Sequence, residues 1–194
     1  MLRKIPALVM LCGLTALVAR AEDKTAVIEV GDTAPTFSST DDTGKVWKST
    51  DHVGKKIVVV YFYPADMTGG CTKQACGFRD DMSKLADKNV EVIGVSGDSV
   101  ENHKIFKAVH KLNFPLLADE TATVAKAFGV PHTLGEKSIK TKDADGKAIA
   151  MTRKASIDRW TFVIGKDGKI AYKNAKVNAA QDPKAVAAAI EKLK

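Results

Sequence analysis

Two rhythms of apolar residues divide this chain. One is the unbroken run. Ile57–Tyr63 is continuously β-branched or aromatic, as expected of a strand covered on both faces. Val90–Val95 repeats that pattern, and Pro115–Ala118 is a shorter version. The other is the three- and four-residue step of an amphipathic helix. Ala75, Phe78, Met82 and Leu85 carry it from about Gly70 to Asp87, and Ile105, Val109 and Leu112 carry it within Val100–Leu112. Thr121–Phe128 reads as a short helix. Asp182 is placed to cap a last helix, with Pro183 at its first position and Val186, Ile190 and Leu193 as its apolar stripe.

Polar punctuation separates these segments. Ala26–Val30 reads as a short strand, Gly31-Asp32-Thr33-Ala34-Pro35 as a turn, and Thr36–Ser39 as a segment pairing beyond it. Asp42-Thr43-Gly44-Lys45 is a hairpin turn before Val46–Lys48, and Lys166-Asp167-Gly168-Lys169 joins Trp160–Ile164 to Ile170–Tyr172. Val130–Ile157 is polar, lysine-rich and irregular, with one hairpin signal at Asp145-Gly146. Strands alternating with helices, then a closing hairpin and helix, predict an α/β fold with a mixed sheet.

Composition narrows this picture. A chain of 194 residues fits one domain. The net charge of +7 is spread along the whole length, and aromatics make up only 6%. That is a solvated lysine-rich surface, and no nucleic-acid partner is expected. The N-terminus stands apart. Arg3 and Lys4 precede the apolar run Ile5–Val18, and Ala19-Arg20-Ala21 ends before the polar Glu22. These are the three parts of a secretory signal, and about 14 apolar residues fall short of the roughly 20 that a span needs. Cleavage after Ala21 is expected, leaving 22–194 as a single exported domain, periplasmic or secreted, without stable membrane association. Cys12 would be discarded with the signal.

The mature chain then keeps Cys71 and Cys76. A structural staple is one reading, but so short a loop gives little loop-closure stabilisation. In Tyr61-Phe62-Tyr63-Pro64-Ala65-Asp66-Met67-Thr68-Gly69-Gly70-Cys71, a buried strand runs into a loop and a cysteine opens the helix. Unpaired N–H groups and partial positive charge at a helix N-terminus favour thiolate over thiol. Gly69 and Gly70 admit close approach of a substrate to the backbone. On local physics alone, a buried structural cysteine behind a capping threonine remains an alternative.

The wider pattern is more specific. Pro64, Thr68 and Cys71 make P-x-x-x-T-x-x-C, which resembles the active-site signature of the peroxiredoxins. Gly31–Phe37 is similar to that family's G-x-x-A-P-x-F opening, and Arg159–Ile164 to its R-x-T-F-V-I strand. The segment Cys71–Asp80 resembles the peroxiredoxin Q, or bacterioferritin-comigratory, subfamily, part of the alkyl hydroperoxide reductase and thiol-specific antioxidant superfamily. The resemblance implies a thioredoxin-like fold, a mixed central sheet flanked by helices, with N-terminal and loop additions. It implies a thioredoxin-dependent peroxidase acting on hydrogen peroxide and organic hydroperoxides. Cys71 would be the peroxidatic nucleophile and Cys76 the resolving cysteine. Arg159 would stabilise the thiolate, Thr68 orient the terminal oxygen, Pro64 shield the sulfur, and the Gly70 backbone bind the peroxide. A thioredoxin-like or other dithiol would be the reductant. No cofactor or metal is implied, and relatives of this kind are often monomers. Polar residues from Gly135 to Ser156 outrun the family's usual connection.

Two other functions fit a thiol pair. A thiol–disulfide oxidoreductase of the thioredoxin class uses C-x-x-C, whereas this chain has C-x-x-x-x-C. A copper-binding protein on the same fold pairs two cysteines with a distant histidine; here the cysteine spacing differs and Arg159 would repel a cation. His52, His103, His110 and His132 share no metal-ligand spacing and read as surface or half-buried residues. Asp143-Ala144-Asp145-Gly146 lacks the glutamate that closes a calcium loop. Met67 and Trp160 read equally as pocket lining and as core.

One geometric expectation follows from the helix. Cysteines five positions apart on an ideal helix have α-carbons roughly 8.7 Å apart, beyond the about 7 Å a disulfide spans. Pairing Cys71 with Cys76 therefore requires local unwinding, for which Gly69, Gly70 and Gly77 are weak points.

Overall fold

The computed structural model describes residues 27–86 and 89–193, without the side chains of 82–86. The predicted signal, Cys12, and the helix positions Met82 and Leu85 lie outside what is described. Ile57–Phe62 forms β3, and every residue of it is buried. It is an interior strand, paired on both edges, of a seven-stranded sheet ordered β2-β1-β5-β4-β3-β8-β9. The others are β1 (Ser38–Asp41), β2 (Val46–Lys48), β4 (Val90–Ser96), β5 (Leu116–Ala118), β8 (Thr161–Ile164) and β9 (Ile170–Asn174). β3, β4 and β5 run parallel, and the flanking strands antiparallel. The mixed α/β fold is therefore as the alternation implied.

Strand alternation splits the core in two. Val58, Val60 and Phe62 face one side with Phe37, Trp47 and Phe128, over which lies α3 (Thr123–Ala127). Val59, Tyr61 and Tyr63 face the other, where Ala75 and Phe78 of α1 (Gly69–Ala86), Phe106 of α2 (Val100–His110) and Val186 of α4 (Asp182–Ile190) complete a second cluster.

The structure corrects three expectations. Val27–Glu29 forms no strand; the chain is held instead by Gly31 and Ala34 N–H donating to the Ile170 and Gly168 carbonyls. The stretch read as irregular around a hairpin signal is a hairpin throughout, β6 (His132–Lys142) with β7 (Ala148–Ile157), and it turns at Asp145-Gly146 as that signal implied. Its inward positions Met151, Ala155 and Ile157 are buried, while β6 is almost wholly exposed. Asp182 does not cap α4. Gln181 occupies the cap position, and Asp182 is buried with its carboxylate turned toward α1 and β8. Gly77 serves a close approach: a Cβ there would lie 2.7 Å from Pro183 Cγ. That approach lets α1 and α4 pack against each other.

Candidate active site

β3 ends where Pro64 cannot continue the ladder. Met67 then takes a positive φ of 58°, uncommon outside glycine and costing on the order of 1 kcal/mol. Thr68 stands immediately before α1, its carbonyl accepting from Thr72 N at 2.8 Å. Its hydroxyl donates to the Ala65 carbonyl at 3.0 Å, which leaves the oxygen able to accept a further bond. Gly69 and Gly70 are exposed, so no side chain of theirs stands between solvent and the first turn.

Cys71 lies in that first turn and is 1% exposed. It packs among Tyr61, Tyr63, Ala75 and Phe78, with Met67 against the same cluster. Arg159 reaches it from 88 residues away because β8 pairs antiparallel with β3. Tyr61 opposes Thr161, and Phe62 N donates to the Trp160 carbonyl at 2.8 Å. Arg159 thereby falls beside the carboxyl end of β3. Its Nη2 donates to Cys71 Sγ at 3.0 Å, and its Nη1 donates to Gln74 Oε1. The guanidinium thus presents a charged donor directly to the sulfur. One end of the sheet thus gathers Pro64, Thr68, Gly70, Cys71 and Arg159. Cys76 is half-buried further along α1, and both cysteines are free thiols. α1 is continuous through both, so their α-carbons keep the helical separation of roughly 8.7 Å.

A buried polar network behind this loop escaped the sequence reading. His103, read there as surface or half-buried, is fully buried, its Nδ1 2.7 Å from Asp66 Oδ2. Tyr63 Oη donates to Asp66 Oδ1 at 2.7 Å, and Asp66 N donates to Asp98 Oδ2 at 2.9 Å. Asn102 Nδ2 bonds both Asp98 Oδ1 and the Thr152 carbonyl of β7. The loop before the cysteine is therefore pinned to β4, α2 and, through Asn102, the hairpin. Burial alone would push the His103 ring down, but the Asp66 charge and hydrogen bond, aided by Asp98, carry it above its ordinary value. Burial, then the Asp66 charge, raises Asp98.

A raised histidine binds its proton more tightly folded than unfolded. Its contribution is present below about pH 6.5 and is lost as pH rises through the folded value. We expect unfolding free energy to decline as pH rises above about 6.5 through this group. Urea denaturation at several pH values checks this: His103→Gln should flatten that window, and an unchanged slope would remove His103 as its source.

Among the described residues, no three His, Cys, Asp or Glu side chains are grouped to hold a metal ion. His52 stacks on Trp47 and pairs with Glu91, and the half-buried His132 places Nδ1 3.0 Å from its neighbour Val130 O. Trp160 is partly buried beneath Lys173 Nζ.

Comparison with known proteins places the geometry in context. Residues 30–173 match the family described as AhpC/TSA. Chloroplastic peroxiredoxin Q of Sedum lineare is 50% identical over 109 residues, covering 56% of this chain and 58% of that protein. The chain thus spans little more than half the length of that relative. Peroxiredoxin Bcp of Escherichia coli K12 is 43% identical over 145 residues, 75% of this chain and 84% of the relative. Among solved structures, peroxidoxin BcpB from Mycobacterium tuberculosis superimposes with a TM-score of 0.70 at 31% identity, over 86% of this chain and 99% of that one. The bacterioferritin comigratory protein of Xanthomonas campestris, described for alkyl peroxide reduction, gives 0.67 at 29%, over 87% and 99%.

Proposed function

From the premise that the chain belongs to the AhpC/TSA family, in its peroxiredoxin Q and bacterioferritin-comigratory branch, we propose that it is a thiol-dependent peroxidase with Cys71 as the reacting group. The observation that carries this is Arg159 Nη2 at 3.0 Å from a buried sulfur at a helix N-terminus. The Cys71 thiolate attacks the nearer peroxide oxygen. An S–O bond forms, the O–O bond breaks, and the departing oxygen takes a proton to leave as water or alcohol. Arg159 holds the thiolate and the incoming oxygen, the Gly70 N–H binds the peroxide, and Pro64 closes the loop against water. Thr68 accepts from the peroxide O–H while donating to Ala65.

The product is a Cys71 sulfenic acid. The Cys76 thiol displaces water from it and forms the disulfide, which requires the first turns of α1 to open. An external dithiol of the thioredoxin type returns the two electrons. Residues 1–21 direct export, and the mature chain works as a periplasmic or secreted monomer free of the membrane. Among the described residues no helix is long and apolar enough to cross a bilayer.

Stopped-flow oxidation by hydrogen peroxide and an alkyl hydroperoxide, followed by mass, tests the scheme. The expected product is lighter than the reduced chain by two hydrogen atoms, with amide protection lost across residues 70–78. Cys76→Ser should stop at the sulfenic acid. A wild-type chain that peroxide leaves unchanged would overturn the reading.

A further inference from the structure

Gln74 is fully buried between the two cysteines and holds Arg159 by its amide oxygen. A glutamine amide fits its own outline in either orientation. Only one orientation serves here, because the flipped one sets an N–H₂ donor against the guanidinium. The choice is made on the far side of the amide. Gln74 Nε2 donates to Asp182 Oδ2 at 2.7 Å, and Thr161 Oγ1 donates to the same oxygen at 2.7 Å. Asp182 is 1% exposed and Thr161 fully buried. An ionised carboxylate accepts and cannot donate, so it draws the N–H₂ end and turns Oε1 toward Arg159.

We propose that Asp182 is a positioning residue for the reaction: through Gln74 it sets the orientation of Arg159 and thus the hydrogen bond to Cys71 Sγ. The relay runs from α4 through α1 to Arg159, two residues before β8. Thr161, two residues beyond Arg159, fixes the near end of the same carboxylate. The Gly77–Pro183 approach brings the start of α4 close enough to α1 for the bond to form. Burial leaves Asp182 above its ordinary value, with the Thr161 and Gln74 hydrogen bonds and the Arg159 charge opposing that rise. The groups that favour its ionised form are therefore those the relay links. An arginine with both nitrogens assigned loses less freedom when it meets the thiolate than one anchored only by its stem.

The inference rests on Cys71 being the reacting sulfur. The test is the second-order rate of oxidation by hydrogen peroxide, measured across pH. Asp182→Ala should slow it about tenfold, less than outright loss of an electrostatic donor, and move the pH profile of the step upward. Asp182→Asn keeps an acceptor oxygen and should restore most of the loss. In a Gln74→Leu background, Asp182→Ala should cost less than about twofold more, since the link is already cut. Equal losses in both backgrounds, or a folded Asp182→Ala with wild-type rate and pH profile, would overturn the proposal. Should Asp182→Ala fail to fold, the Gln74 side-chain amide of the wild type decides, assigned by NMR through its loss in Gln74→Leu. Slow proton exchange is expected, and exchange as fast as an exposed glutamine would sink the relay. A wild-type chain unreactive toward peroxide would instead end the peroxidase reading itself.

Discussion

Cys71→Ser is expected to abolish peroxide consumption. Serine preserves the shape of the first turn of α1 and its bond to Arg159, so the loss isolates the chemistry of the sulfur. A hydroxyl near neutral pH is un-ionised, and none of the described residues bonded to this position is the adjacent general base that a serine nucleophile needs. The neighbours of Cys71 are aromatic or alkyl side chains and a guanidinium that donates. The drop should be at least about a thousandfold, the scale on which removing a nucleophile ordinarily acts. Peroxide remaining after incubation with a dithiol measures it. Retention of about a tenth of wild-type turnover would mean that another group attacks the O–O bond.

Arg159→Ala should slow the first oxidation by about a hundredfold or more, the order seen when a positioned electrostatic donor is removed. Arg159 is the cation in hydrogen-bond contact with the sulfur, and it occupies two nitrogens with two different partners, Cys71 and Gln74. Arg159→Lys keeps the charge on one nitrogen and cannot satisfy both at once. It should recover only part of the rate. Stopped-flow measurement of the oxidation step alone separates this from any effect on resolution by Cys76. A wild-type second-order constant in Arg159→Ala would take the residue out of the reaction.

Local pattern carried much of the architecture. The β-branched and aromatic run Ile57–Tyr63 has no plausible home but a doubly covered strand, and it is a buried interior strand of the sheet. The helix after Gly69 and the hairpin around Gly168 followed from period and turn chemistry in the same way. The turn of the β6–β7 hairpin was signalled at Asp145-Gly146, but the length of its strands was not, because β6 faces solvent along nearly its whole length. Its positions therefore alternate in nothing that separates strand from loop, while the inward Met151, Ala155 and Ile157 of β7 lie among polar neighbours. Asp182 was taken for a cap because an acidic residue before proline is a local signal. Its actual partners are 21 and 108 residues away.

What the sequence by itself determined was a candidate thiol and its local setting: a cysteine opening a helix after a buried strand, with a threonine three residues before it. That setting depends on short-range backbone geometry, so spacing reveals it. The tertiary structure alone decided which distant side chains complete the site. His103 meets Asp66 across 37 residues because α2 packs beside the β3–α1 loop, and the pair is legible only once burial is known. Asp182 reaches Gln74 because a glycine on α1 admits a proline on α4. Buried polar groups must be satisfied by whatever the packing brings within about 3 Å, and that neighbour is set by the fold of the whole chain.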